Sequence, residues 1–259
     1  MDEKIKSSIE LSKQIRKDAL YLSYLKRTAH LGSSLSCADI LAYFYEFLIS
    51  KKNKNIFILS KGHAASSLYS ALYRKKFISK REFMSYCSEG SKFEEHPSPK
   101  ISGVECATGS LGHGLPFGCG MALANKINKN NYKTVVLISD GECNEGTTWE
   151  SAMFASAQNL KNLTLVVDYN KWQATGRSEE IMRIKPLDKK FRAFGWDTIV
   201  VNGHNINELN IAFKKKNKKP KVIVANTIKG SGIKSMEDDN NWHYRSPNKD
   251  ELTEFLKQI

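Results

Sequence analysis

The densest chemical signal in this 259-residue chain is Ile138-Ser139-Asp140-Gly141-Glu142-Cys143-Asn144-Glu145-Gly146, where an apolar run ends in a carboxylate and a helical pattern follows at once. A carboxylate at the carboxyl end of a strand, a glycine that lets backbone come close and a helix amino terminus behind it suit an anion held through a metal. The next apolar run ends in Val167-Asp168-Tyr169-Asn170-Lys171-Trp172, which sets an amide oxygen 30 positions beyond Asp140 and one strand over. Asp140, the Asn170 side chain and a nearby backbone carbonyl are all-oxygen donors. With two phosphate oxygens and a water they would complete the octahedron that magnesium demands. An Asp-Gly dipeptide alone after a strand is a turn signal, and it is the second strand end that raises this one to a candidate site.

Histidines form the second signal. Five of the six, His30, His63, His96, His113 and His243, fall in the loops between apolar runs, and His204 does not. Any one of them alone reads as a hydrogen-bonded structural residue. Together, imidazoles near neutral pKa suit chemistry in which one hydroxyl loses a proton and another oxygen gains one.

The elements that must position these groups can be read from periodicity. Short continuous apolar runs stand at Ile56–Leu59, Thr134–Ile138, Leu163–Val167, Thr198–Val201 and Val222–Ala225. Continuous runs, unlike alternating ones, mark strands buried on both faces. Helical patterns separate them, at Leu115–Ile127, Thr147–Leu160 and Ile206–Phe213, with a last one at Lys249–Lys257. The alternation predicts crossover connections, a largely parallel sheet and helices on both sides: a three-layer α/β/α fold. Ligands in such folds bind at the carboxyl ends of the strands. Ahead of the first strand, residues 1–28 read as an amphipathic helix with Ile5, Ile9, Ile15 and Ala19 on its apolar spacing. A second helix is predicted to start with Ser36 as its cap and to run through Ile40, Leu41, Phe44 and Leu48. Residues 88–112 and 229–248 fit neither pattern, and long loops in a compact domain point to function. One domain over 1–259 is expected.

Composition narrows the class further. The net charge is +13, from 40 Lys and Arg against 27 Asp and Glu, so nucleic acid has to be weighed as a partner. The densest basic run, Lys214-Lys215-Lys216-Asn217-Lys218-Lys219, follows a helical pattern and precedes Pro220, which reads as a solvated helix end. No basic patch is interleaved with aromatics, so no nucleic-acid platform is expected. Five widely spaced cysteines without a Cys-x-x-Cys pair read as reduced thiols, with Cys143 unassigned although it sits inside the richest motif. No apolar run is long enough to cross a bilayer and the amino terminus lacks a signal pattern, so a cytoplasmic protein is expected.

The two strand-end segments resemble the thiamine-diphosphate motif of the transketolase family, a Gly-Asp-Gly followed by a distal Asn, with Ser139 standing where the family has its first Gly. The resemblance implies that Asp140, Asn170 and the Trp172 carbonyl bind magnesium, that Gly141 contacts the diphosphate, and that Glu145 lies toward the paired active site. Ala29-His30-Leu31-Gly32 resembles the family's early His-x-Gly motif, whose histidine faces substrate, and Ser60-Lys61-Gly62-His63-Ala64 its Gly-His motif, whose histidine contacts the diphosphate. His96-Pro97 and Thr108-Gly109-Ser110-Leu111-Gly112 resemble the His-Pro to Gly-Leu-Gly loop, which implies that Gly109, Ser110 and Leu111 lie along the cofactor. Lys229-Gly230-Ser231-Gly232 with Trp242-His243 resembles the late loop that returns a histidine over it. On this resemblance His30, His96 and His243 serve substrate contact and proton transfer. It also implies transfer of a ketol unit between sugar phosphates, with thiamine diphosphate and Mg2+ as cofactors. The family's second domain carries the glutamate that activates the cofactor's pyrimidine, and this sequence does not contain it. A C-terminal partner subunit in a symmetric assembly of two copies of each is therefore expected. The alpha subunit of a 2-oxo-acid dehydrogenase, a deoxyxylulose-phosphate synthase-like enzyme and a non-catalytic cofactor-binding subunit stand as alternatives.

Overall fold

A computed structural model describes residues 2–259. Its centre is a five-stranded, all-parallel sheet of β1 (Ile56–Leu59), β2 (Thr134–Ser139), β3 (Leu163–Tyr169), β4 (Asp197–Asn202) and β5 (Lys221–Asn226), in the order β1-β2-β3-β5-β4. The sheet is flanked by helices α1 (Glu3–Lys26), α2 (Leu31–Ser36), α3 (Ala38–Phe47), α4 (Ala65–Arg74), α5 (Lys80–Met84), α6 (Gly114–Ile127), α7 (Gly146–Ala157), α8 (Ser178–Ile181), α9 (Leu187–Ala193), α10 (Ile206–Lys214) and α11 (Lys249–Leu256). The three-layer expectation holds. Phe57, Leu59, Val135, Leu137, Val166 and Ile223 point into one core with α1, α3, α4 and α10. The alternate residues Ile58, Val136, Ile138, Leu165, Val167 and Val224 point into the other with α6, α7 and α9. This two-sided burial is what continuous apolar strand runs encode.

Three local expectations are corrected. β4 is an edge strand, and Val200 on it is half exposed, so its run of apolar residues is not buried on both faces. Ile9 points to solvent, because the buried stripe of α1 passes instead through Ile5, Leu11, Ile15, Ala19 and Leu22. Ser36 closes α2 and does not cap α3, since its hydroxyl is spent on the Ser33 carbonyl (3.0 Å) and the Asp168 carboxylate (2.6 Å). α3 begins after Cys37 without a side-chain cap.

A third, smaller apolar cluster gathers Ala19, Leu20, Leu31, Leu35, Ile233, Met236, Trp242 and Phe255. It packs the late loop, residues 229–248, onto α1, α2 and α11. Polar anchors support it: the Arg16 Nε donates to the Ser231 carbonyl (2.9 Å), and Arg16 pairs with the buried Asp39. His204 completes the anchor, with Nδ1 2.8 Å from Asp39 and Nε2 accepting from the Ile228 N–H at 2.9 Å. The histidine left outside the candidate site thus holds the base of the loop that carries His243.

Candidate active site

At the carboxyl ends of β1, β2 and β3 a cleft of about 260 Å³ is lined by His30, His63, His96 and His243 together with Ser139, Gly141 and Asn170. Each histidine arrives on a different segment, so the fold and not local sequence brings them together. The His30 ring centroid lies 5.5 Å from that of His63, 6.1 Å from His96 and 4.9 Å from His243. His30 adopts the left-handed region (φ 66°) as it enters α2, and its N–H donates to the His243 carbonyl at 2.6 Å. Backbone strain held in place by a cross-link of this kind is typical of sites that need a side chain aimed. Its Nδ1 faces Glu95 Oε1 at 3.2 Å, and the same carboxylate oxygen accepts the Ala29 N–H.

His63 and His243 are both driven toward the neutral form. For His63 the cause is burial, followed by the charge of Lys61, and its pKa falls well below the usual imidazole value. For His243, burial and then Lys229 bring it to about 3. His96 sits exposed at the rim and packs on Gly109, where φ is 140° and an added Cβ would lie 2.5 Å from the imidazole Cδ2. Only glycine gives that approach.

The floor of the cleft is oxygen-rich. Asp140 is fully buried; its carboxylate accepts from the Lys171 N–H (2.9 Å), the Ser178 hydroxyl (2.8 Å) and its neighbour Gly141 N–H (3.1 Å). Burial, with Asp168 nearby and against the Ser178 hydrogen bond, pushes its carboxyl up to about 7. Such a group is stabilised by an added positive charge. The Asn170 amide oxygen accepts from the Trp172 N–H (3.0 Å), a local turn at the end of β3. Among the described residues no three His, Cys, Asp or Glu side chains converge as a metal site. The donor set of one carboxylate with amide and carbonyl oxygens therefore fits a hard cation whose remaining ligands come from phosphate and water.

Of the sequence-predicted residues, His30, His63, His96, Gly109, Leu111, Gly141, Asn170, Trp172 and His243 line the cleft, and Asp140 lies buried beside it. Ser110 and Glu145 are exposed outside it. His113 is exposed at the start of α6 and makes no cap hydrogen bond. Cys143 is buried and its thiol is pushed far up by burial, so it offers no thiolate.

Sequence reasoning missed the layer beneath. Lys61 and Asp168 form a fully buried ion pair, with Ser36 and Thr227 hydroxyls on the carboxylate and the Ser33 carbonyl on the ammonium (3.0 Å). Ser36 also meets the Asn170 amide at 3.4 Å, tying this pair to the candidate metal ligand. Two opposite charges at strand ends, Lys61 after β1 and Asp168 within β3, were the available signal. Lys229, fully buried with its Nζ 3.0 Å from His243 Nδ1, was also overlooked. Outside the cleft, Trp172 stacks on Arg177 (3.8 Å), and both bond Asp238, which fastens the loop after β3 to the late loop.

Residues 10–259 match the family model described as transketolase, thiamine diphosphate binding domain. One of the subunits of apulose-4-phosphate transketolase from Phocaeicola vulgatus is 34% identical over 258 residues, covering 96% of this chain and 92% of that protein. The protein of the same name from Actinobacillus succinogenes is 37% identical and covers 89% of this chain and 87% of its own length. Human transketolase is 32% identical over 99% of this chain, which spans 42% of that longer protein. Among solved structures, transketolase from Campylobacter jejuni superposes with a TM-score of 0.88 at 26% identity, covering all of this chain and 43% of its own.

Proposed function

Because this chain belongs to the transketolase family, as its thiamine-diphosphate-binding part, we propose that it is one of the subunits of a thiamine-diphosphate- and magnesium-dependent transketolase. The reaction would move a two-carbon ketol unit from a ketose phosphate to an aldose phosphate. The observation that carries this reading is the meeting of His30, His63, His96 and His243 over the strand ends that hold Asp140 and Asn170. Asp140, Asn170 and the Trp172 carbonyl would hold Mg2+. His63, Gly109, Leu111 and Gly141 would lie along the diphosphate, with Ser110 and Glu145 reached only where a partner closes the cleft. Thiamine diphosphate, when bound, supplies the electron sink for carbon–carbon cleavage. His30 would hold a substrate oxygen and move its proton, His243 would hydrogen-bond a substrate oxygen, and His96 at the rim would bind a substrate hydroxyl. Residues 1–259 would act as one cofactor-binding unit.

A second chain is supported by the outer faces of α6 and α7. On them Leu115, Cys119, Ala122, Ala152 and Ala155 pack inward, while Phe117, Ile127, Met153 and Phe154 stand exposed. Exposed apolar clusters mark interaction surfaces. A C-terminal subunit carrying the pyrimidine-activating glutamate would cover them in a symmetric assembly of two copies of each. Among the described residues no helix is long and apolar enough to cross a membrane, and sugar-phosphate substrates would place the enzyme in the cytoplasm. Since two relatives bear the name apulose-4-phosphate transketolase, apulose 4-phosphate is the first substrate to try. The test is to assay ketose cleavage by the purified chain with Mg2+ and thiamine diphosphate, and then again after adding a candidate C-terminal partner. Transfer is expected only from the pair. Robust transfer by the lone chain would overturn the partner requirement, and a cofactor-loaded pair inert toward all ketose phosphates would overturn the activity.

A further inference from the structure

We propose that Lys229 is a positioning residue that fixes the tautomer of His243, so that this imidazole meets the cleft as an N–H donor and not as a base. Lys229 is fully buried, and its Nζ lies 3.0 Å from His243 Nδ1 while donating to Asn240 Oδ1 at 2.6 Å. An ammonium has three hydrogens and no lone pair. Facing it, Nδ1 has to be the acceptor, and a neutral imidazole whose Nδ1 carries the lone pair holds its proton on Nε2. His243 does not escape by taking a second proton, since burial and the adjacent Lys229 keep it neutral down to about pH 3.

Three segments interlock to make this contact. A Cβ on Gly32 would lie 3.1 Å from Lys229 Cγ, so the glycine of the early His-x-Gly segment is the gap through which the lysine stem passes. The Gly230 N–H donates to the Gly32 carbonyl at 3.0 Å, and the His243 carbonyl takes the His30 N–H. The same geometry gives His30 the opposite tautomer. Its Nδ1 faces Glu95, a carboxylate that only accepts when ionised, so in the neutral ring the proton sits on Nδ1 and Nε2 carries the lone pair. Two imidazoles 4.9 Å apart, with rings crossed at 87°, are thereby held as one donor and one acceptor.

The roles that follow rest on the ketol-transfer reading. His30 Nε2 would take the proton of the hydroxyl whose oxygen becomes a carbonyl as the carbon–carbon bond breaks. His243 Nε2–H would hydrogen-bond a substrate oxygen without exchanging its proton. The tautomer itself does not rest on that reading, and the experiment keeps the two apart. Long-range 1H–15N correlation spectra of the chain labelled at histidine, recorded at pH 6, report which ring nitrogen of His243 is protonated, with His243→Gln giving the assignment. At that pH Lys229 is still cationic, its pKa lowered by burial and Lys61 to about 7. The wild type should show the Nε2–H form, Lys229→Arg should keep it, and Lys229→Met should shift the population toward Nδ1–H. An Nδ1–H form in the wild type, or an unchanged Nε2–H form in Lys229→Met, overturns the proposal. In the assembled enzyme Lys229→Met should lower kcat about 100-fold, the scale of a lost hydrogen-bond donor to a reacting oxygen, with partial rescue by Lys229→Arg. The expected spectra from a pair inert toward every ketose phosphate would support the tautomer and sink the activity instead.

Discussion

Replacing Lys61 by methionine keeps most of the stem and removes the charge, which isolates what the buried ion pair contributes. Lys61 and Asp168 are both fully buried, and although burial works against the Lys61 charge, Asp168 outweighs it and holds the ammonium pKa above its usual value. In Lys61→Met the Asp168 carboxylate keeps hydroxyls from Ser36 and Thr227 but loses its ion-pair partner. Breaking a buried pair from one side costs ~3–5 kcal/mol, because it strands the remaining charge. For a domain of this size ~1 kcal/mol moves the melting temperature by about 2–4 °C. The expected fall is therefore about 6–20 °C in scanning calorimetry. The double variant Lys61→Met with Asp168→Asn keeps an acceptor for one hydroxyl, lets its NH2 donate to the other hydroxyl's oxygen and carries no stranded charge, so at least half of the loss should return. Cofactor affinity should stay weakened in the double variant, because Ser36 links the pair to Asn170. A single-variant loss below ~1 kcal/mol, or no coupling between the two positions in the cycle, would falsify the reasoning that this pair holds the site floor in place.

Asp140→Ala should abolish Mg2+-dependent binding of thiamine diphosphate in calorimetry while the circular dichroism of the chain is unchanged; undiminished affinity with other metals chelated removes Asp140 from the ligand set. His30→Ala and His243→Ala should each reduce kcat of the assembled enzyme by roughly 100-fold with little change in cofactor affinity, and normal turnover in both would discard their assignment to the reacting oxygens of the substrate. Asp39 supplies a pH prediction: burial alone would raise its pKa, but the Arg16 charge and the His204 hydrogen bond outweigh it and hold it well below the usual carboxylate range. With the folded value depressed, that contribution is fully present above the unfolded value of 3.8 and is lost as pH falls below it. Asp39→Asn should therefore be less stable than wild type at pH 7 and lose less stability between pH 4 and pH 2 in urea titrations.

How far the sequence could be read depended on the kind of signal each feature leaves. All five strands were legible because both-face burial writes a continuous apolar run, and β4 misled because an edge strand with the same residues exposes one side. Helices α2, α4, α5, α8 and α9 went unread; α2, α5, α8 and α9 have four to seven residues, too few for a period to show. The start of α3 was misplaced because a serine at a helix boundary has two uses, and Asp168 claimed the hydroxyl of Ser36 from 132 positions away. The cleft histidines could be chosen because few residue types do their chemistry. Their partners Glu95, Lys229 and Lys61 could not, since glutamates and lysines occur throughout a chain with 26% charged residues and only contact distinguishes these.

Glu142 shows the same limit at the centre of the strongest motif. In sequence it is a charge between Gly141 and Cys143 with no role assigned to it. In the fold it is completely buried and organises three segments: its carboxylate accepts from the Ser60 hydroxyl after β1, from the Gly112 N–H (3.1 Å), and from the Ser139 N–H (2.8 Å). The Ser60 hydroxyl in turn accepts from the Gly114 N–H at 3.1 Å, so the loop of Gly109 and Leu111 is pinned to the two strand ends that flank the cleft. This gives a physical account of the serine that stands at position 139. Its hydroxyl lies 3.3 Å from both the Glu142 carboxylate and the Glu142 N–H, so it is held by the loop's own hub. Burial pushes the Glu142 carboxyl up, and each donor around it pulls the other way. The Ser139 hydroxyl thereby strengthens a network that a glycine there would serve through its backbone N–H alone. The serine that stands where the motif has its first Gly is held by Glu142, beside the buried Asp140 and the cleft-lining Gly141.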